Sequence, residues 1–236
     1  MTPFSTLVAG IHIGALDAQT NAFGGSQMQM MGLLAVLSIV PFAIMMLTSF
    51  SKIIVVLSML RSALGTQQAP PTMVLTGLAA VLSITIMSPT FEKLWANGKT
   101  VYESAGSNAE LMTRSASVLV PLREFLVKHG SFEERARFVD LARELRPPED
   151  AGLISEEDLA VIVPAFVITE LKEAFIIGFL IFLPFLVLDM LIANVLLALG
   201  MQTLSPSQVS LPFKILLFVA VDGWALVSRG LILGYR

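Results

Sequence analysis

The sequence predicts an all-α protein of integral-membrane type, with four long hydrophobic helices, some broken or tilted, and a helical polar insert. Two observations carry that prediction. The 236 residues are 55% hydrophobic and 14% charged, against about 25% charged in soluble domains, and the mean hydropathy is +0.79. The charges are also segregated. Residues 1–89 carry only Asp17, Lys52 and Arg61, residues 174–236 carry only Asp189, Lys214, Asp222, Arg229 and Arg236, and the others lie between Glu92 and Glu173. Three regions follow: N-terminal hydrophobic helices over 1–89, a polar helical insert over 90–173, and C-terminal hydrophobic helices over 174–236.

Four apolar segments stand out in order. The first, 28–50, contains Pro41; the second, 73–87, stops before Ser88-Pro89; the third, 174–199, is interrupted by Pro184 and Asp189; the fourth is 211–233. A spanning helix needs about 20 apolar residues, so the second is short and the last two are compromised by charge. Either these are four ordinary spans, or several are tilted or broken and buried in protein, where proline and charge at depth are tolerated.

The insert reads as helical. Leu111, Val118, Leu122, Phe125 and Leu126 share a face of a helix that His129-Gly130 ends. Residues 131–134 (SFEE) resemble a capping box, opening a helix with Phe132, Ala136, Val139 and Leu145 on its apolar side. Residues 146–150 (RPPED) break it, and Ser155 to Asp158 (SEED) is placed to cap the next. The connector holding Lys52 and Arg61 should face the cytoplasm by the positive-inside tendency, which puts the insert in the periplasm. Lys214 agrees with this topology; Arg229 and Arg236 oppose it. No basic stretch precedes the first apolar run, so a cleaved signal peptide is not expected.

Several function classes are disfavoured. The net charge of −3 argues against nucleic acid as a partner. There is no cysteine, which removes disulfides, thiol catalysis and thiolate metal sites. With two histidines far apart in sequence no histidine metal site is expected, nor any cofactor. Asp189 and Asp222 are acids in apolar surroundings, and an intramembrane aspartyl protease uses two such acids sharing a proton. Asp222 lacks the glycine-rich approach of that class, so no catalytic residue is assigned. Interhelical pairing or the lining of a wet cavity accounts for both acids better, with snorkelling at segment ends as the bland alternative.

A lysine or acid at the bilayer centre costs roughly 2.5–3.5 kcal/mol, so the charges of the apolar segments imply partners. Glu170, Lys172 and Glu173 cluster just before segment three and Lys214 begins segment four. A salt bridge from Glu170 to Lys214, within or between subunits, is one solution, and solvated flanks are the other. The glycine pairs of GIHIG (10–14) and GLILG (230–234) have the spacing of close membrane-helix packing, a weak signal in so glycine-rich a sequence. Most of the twelve methionines read as adaptable core. Met201 differs, because it follows Leu199-Gly200 at the tip between two apolar segments and is suited to closing a narrow conduit.

Three blocks place the sequence in a family. PFAIMMLTSFSKIIVVLSMLRSALGTQQAPPTMVLTGLAAVLSITIMSP (41–89), PAFVITELKEAFIIGFLIFLPFLVLDMLIANVLLALGM (164–201) and LPFKILLFVAVDGW (211–224) closely resemble the core export-gate protein of bacterial type III secretion systems, the SctR/FliP family. The resemblance implies an all-helical subunit, not an enzyme, copies of which assemble into a helical ring, a pentamer, with SctS/FliQ-type and SctT/FliR-type subunits and a SctU/FlhB-type switch protein. Unfolded substrate proteins cross through that ring. It also implies the bacterial inner membrane, with contact to lipid and helices packed into a cone raised toward the periplasm.

By the same resemblance Met201 lies in a methionine-rich loop that seals the closed pore. Gln202 and Thr203 stand where many members carry further methionines, and Leu204 follows as an apolar supplement. Glu170, Lys172, Asp189, Lys214 and Asp222 fall at or beside the family's charged positions and are expected to pair between subunits. The ending SRGLILGYR is more like injectisome than flagellar members. The alternatives are a flagellar subunit of the same family and a small-molecule membrane transporter, which would work as a monomer or dimer with a midplane site.

Overall fold

The computed structural model describes residues 30–236 apart from 33, 36, 67–68, 105–116, 148–151, 153 and 202. They divide into two compact units with the boundary between Ile44 and Met45. The first unit is represented by the opening turns of helix α1 (Met30–Leu47), whose Met30, Leu34 and Phe42 side chains are exposed. Among the described residues every regular element is a helix, as the composition predicts.

The second unit is organised around α2 (Phe50–Ala63). This helix buries Ile53, Val56, Leu57 and Leu60 at i, i+3, i+4 and i+7, the spacing of one helical face. It lies along α6 (Leu159–Ala198), and the two make the most extensive helix contact among the described residues. Gly178 of α6 leaves room for Met59 of α2, since a Cβ there would sit 2.3 Å from the Met59 sulfur. α3 (Thr72–Ser104) adds Leu75, Ala79 and Leu82 to the same core. α4 (Val120–His129) builds a second core from Phe125 and Leu126 with Met87, Ile162, Phe166 and Tyr235. α5 (Phe132–Glu144) packs on the start of α6 through Val139, Phe138 and Ala142.

The helices are longer than the apolar segments. α3 does not stop at Ser88-Pro89 but continues to Ser104, because the missing N–H of Pro89 removes one ladder bond while Met87 and the buried Thr90 stay packed. α6 begins fifteen residues ahead of the expected segment three and runs 40 residues through Pro164 and Pro184, so Glu170, Lys172 and Glu173 are interior to a helix rather than flanking it. At 1.5 Å per residue α6 is about 60 Å long, twice the roughly 30 Å of a bilayer core. Segment four is instead broken. α7 (Pro206–Ala220) and α8 (Gly223–Leu233) meet at a 60° bend.

Two local expectations are corrected. Neither capping box forms with a side-chain bond. The N–H of Ser131 is donated to Thr169 Oγ1 at 3.0 Å, and Glu134, which should have reached back to it, turns to Arg137 and Lys172. Ser155 and Asp158 close a turn of their own, the N–H of Ser155 donating to Asp158 Oδ2 at 2.9 Å, and α6 starts only after it. The apolar stripe of α5 is also rotated from the expected one. Val139 is buried, but Phe132 and Leu145 are exposed, because the face that meets α6 carries Phe138 and Ala142. Leu111 lies outside the described residues.

Replacing Gly178 with leucine overpacks the α2–α6 contact, which costs about 1–3 kcal/mol. The expected outcome is a lowered melting temperature of the detergent-solubilised protein, read by differential scanning fluorimetry. The same substitution at Gly230, where nothing lies within 4 Å of the added Cβ, should have little effect.

Candidate functional site

Two buried lysines fasten α6 to the rest of the molecule. Lys52 sits in the first turn of α2, where the helix dipole disfavours a cation. It is only 4% exposed, so the charge must be answered locally. Glu170 and Glu173 of α6, three apart and therefore on one face, answer it at 2.9 and 2.7 Å. The Tyr235 hydroxyl donates to the other oxygen of Glu170. Lys52 Nζ also stands 4.1 Å from the centre of the Tyr235 ring, a cation–π arrangement. That ring stacks on Phe125 and tilts against His129, with centroids 6.1 and 5.0 Å away. One cluster thus ties together α2, α4, α6 and the residues after α8.

Burial and the neighbouring Glu170 carboxylate push the Tyr235 phenol above its ordinary range, so it stays a proton donor. Burial lowers His129 to about 4, helped by the positive charges of Lys128 and Lys52.

The second lysine, Lys214 of α7, is also 4% exposed. It contacts Asp189 Oδ2 at 2.6 Å and donates to the Ala63 carbonyl at 3.3 Å. Ala63 closes α2, and the last carbonyls of a helix lack partners and carry its negative end. Lys214 therefore neutralises an acid of α6 and caps α2 at once. Ser210, one turn earlier on α7, donates to Asp189 Oδ1 at 2.5 Å. Gly65 follows α2 with φ +74°, a left-handed conformation that favours glycine, and α7 packs against this turn.

The pairing expected between Glu170 and Lys214 is not the one formed within the chain. Each has another partner, because the two lie near opposite ends of α2. Lys172 points away from this cluster to Glu134, at 3.7 Å, and remains 57% exposed. Asp189 is committed to Lys214 and Ser210, and Asp222 stands exposed on the α7–α8 bend, so the two acids do not form a proton-sharing dyad. No group of metal-binding side chains occurs among the described residues.

Between α6 and α7 the chain turns tightly. Leu199 closes α6, Gly200 follows with φ +72°, and the N–H groups of Gly200 and Met201 donate to the carbonyls of Leu197 and Leu196. This is the Schellman arrangement, which needs a glycine in the left-handed region. It presents Met201 and, beyond it, Leu204 outward, 44% and 43% exposed, with Thr203 exposed between them. Gln202 lies outside the described residues.

Comparison with known proteins decides the family. The FliP family model matches residues 33–231. The chain belongs to the FliP family. It is 45% identical over 202 residues to the hypersensitivity response secretion protein HrcR of Ralstonia nicotianae, covering 85% of this chain and 93% of that one. It is 42% identical over 209 residues to Yop proteins translocation protein R of Yersinia pestis, covering 86% and 93%. It is equally 42% identical over 208 residues to the flagellar biosynthetic protein FliP of Caulobacter vibrioides, covering 88% and 76%.

Lys52 and Tyr235, central to this FliP-family site, are not among the site residues read from sequence. Lys52 had a usable signal, being one of only three charges in the first 89 residues. Tyr235 had none, since a tyrosine beside a glycine and an arginine is unremarkable until α8 delivers it to Glu170.

Removing one partner of a buried pair costs about 3–5 kcal/mol, while removing both costs less. Lys214→Ala should therefore destabilise strongly, and Lys214→Ala with Asp189→Ala should recover part of the loss in a double-mutant cycle of thermal stability. A pH effect follows from His129. Its folded value near 4 lies below the ordinary 6.5, so folding favours the neutral ring. Its contribution is complete above about 6.5 and is lost as pH falls toward 4. The stability slope in that window should flatten in His129→Gln, measured by melting across pH 4–7.

Proposed function

We propose that this FliP-family chain is a subunit of the export gate of a bacterial type III secretion system, forming with its partners the channel entrance through which unfolded proteins leave the cytoplasm. The family match over residues 33–231 carries the reading. The geometry supports it. A helix of about 60 Å that buries Glu170 cannot lie wholly in a bilayer core, and it suits a cone of helices rising from the inner membrane toward the periplasm.

Many large apolar side chains, among them Phe175, Phe179, Leu180, Val187 and Leu191 along α6, are exposed on the single chain. Such faces call for cover by lipid or by other subunits. Further copies of this chain in a ring, a pentamer, together with SctS/FliQ-type, SctT/FliR-type and SctU/FlhB-type subunits, are the proposed cover. The 45% identity to a hypersensitivity response secretion protein supports the injectisome type. The subunit is a conduit rather than an enzyme.

Met201 and Leu204 at the α6–α7 tip, with Gln202 and Thr203 between them, are the proposed seal. Since Glu170, Asp189 and Lys214 already have partners within the chain, the capacity left for charge pairing between subunits lies mainly in Lys172 and Asp222, both exposed.

Co-expression with the two smaller partner types should yield one large detergent-stable complex by size exclusion. A chain that stays monomeric in their presence would overturn the gate reading. Within that complex, Met201→Gly should raise the leak of ions across proteoliposomes; an unchanged leak would remove Met201 as the seal.

A further inference from the structure

A proline inside the continuous helix α6 and the bend between α7 and α8 line one apolar pocket. Pro184 takes a ladder bond out of the middle of α6, leaving the Leu180 carbonyl without its helical donor. Opposite it, α7 and α8 break at Val221–Gly223 with a 60° bend. Asp222 there adopts φ 50° and ψ 53°, a left-handed conformation uncommon outside glycine. Gly223 is required because a Cβ at that position would lie 2.1 Å from the Phe218 ring. Pro184 and Gly223 line the same pocket of about 230 Å³, walled by apolar side chains that include Leu60, Ile181, Phe218 and Val227. The pocket opens at the surface, where Val221 and Leu226 are exposed, so the helix that lacks a ladder bond lies beside side chains with room to repack.

The parts on either side are held as blocks. Beyond Pro184, Asp189 is bound to Lys214 at 2.6 Å and to Ser210 at 2.5 Å, which joins the last turns of α6 to α7. Before Pro184, the Lys52–Glu170–Glu173–Tyr235 cluster joins α2, α6 and the end of the α8 segment. The bond from Lys214 to the Ala63 carbonyl, 3.3 Å, links the first block to α2 and is longer than the contacts inside it.

We propose that the layer of Pro184 and Val221–Gly223 is a hinge, on which the tip block (α6 beyond Pro184, the Met201 loop and α7) swings as one body. In that motion Lys214 keeps Asp189 and releases Ala63, and the apolar cavity absorbs the displaced side chains. Hinges are commonly a few residues at element ends that absorb a change in φ and ψ, as Val221–Gly223 would, and a proline-weakened turn is where a helix bends. As a device for moving the seal, the hinge rests on the export-gate reading.

The test uses the complex with its two smaller partners. Val227→Phe fills the cavity, and Pro184→Ala restores the ladder bond to Leu180. Amide hydrogen exchange over 178–188 and 217–226 should be faster in the wild type than in the core of α2, and each variant should slow it by about tenfold or more. Secretion of a reporter should fall with each, at unchanged complex size.

Wild-type exchange as slow as that of α2 would overturn the hinge. Slowed exchange with undiminished secretion would overturn its role in export. Should Val227→Phe fail to assemble, Pro184→Ala decides alone. Failure of the wild-type chain to enter any complex would instead count against the export-gate reading, while exchange on the detergent-solubilised chain still decides the hinge.

Discussion

The structure depends on the contact between α2 and α6, and that contact is fixed at both ends by a buried lysine. At the start of α2, Lys52 reaches Glu170 and Glu173; at its close, Lys214 reaches Asp189 and the Ala63 carbonyl. Between them lie Ile53, Val56, Leu57 and Leu60, at most 1% exposed. Apolar faces alone specify register loosely, since leucine and isoleucine ridges fit more than one set of grooves. Two charge pairs with α6, 19 residues apart at Glu170 and Asp189 and so about 28 Å along the helix, leave a single alignment. Buried pairs of this kind add little net stability, yet breaking one is costly. Their effect here is therefore on which packing forms rather than on how strongly it holds.

That division of labour explains the surface. The core of the second unit is small for a chain this apolar, and long stretches of α3, α6, α7 and α8 present leucine, isoleucine, valine and phenylalanine outward. In water this would be an aggregation hazard. In an assembly it is interface not yet covered. The polar fasteners are what allow such a subunit to hold a defined shape while its apolar surface is divided between its own interior, lipid and neighbours.

Sequence made the helical class, the apolar segments and the importance of Asp189 and Lys214 legible, because lone charges in apolar runs demand partners. It did not reveal who the partners are. Glu170 and Lys214 were the natural pair by composition, but pairing is set by where α6 crosses α2, and that is tertiary information. The helices outrun the apolar segments for a related reason. Pro89, Pro164 and Pro184 are breakers by propensity, yet packing on both sides carries α3 and α6 straight through them. The bend at Asp222 went the other way: Asp222-Gly223 is a turn dipeptide set inside an apolar run, and Asp222 takes the left-handed conformation there while Phe218 packs against Gly223.

The fasteners also bear on the tip. Met201 is exposed because Gly200 ends α6 in a tight turn, and Ser210, Asp189 and Lys214 bind the two helices below it into one piece. A loop on so firmly closed a hairpin has little freedom of its own, so displacement of Met201 has to come from the hairpin as a whole. With one methionine, the polar Gln202 and Thr203, and Leu204 in this loop, rearrangement of its side chains offers little apolar reach to the proposed seal. The position of the hairpin then matters more than the plasticity of the loop, and the lysine that anchors the hairpin to α2 sets where the exposed methionine at its apex sits.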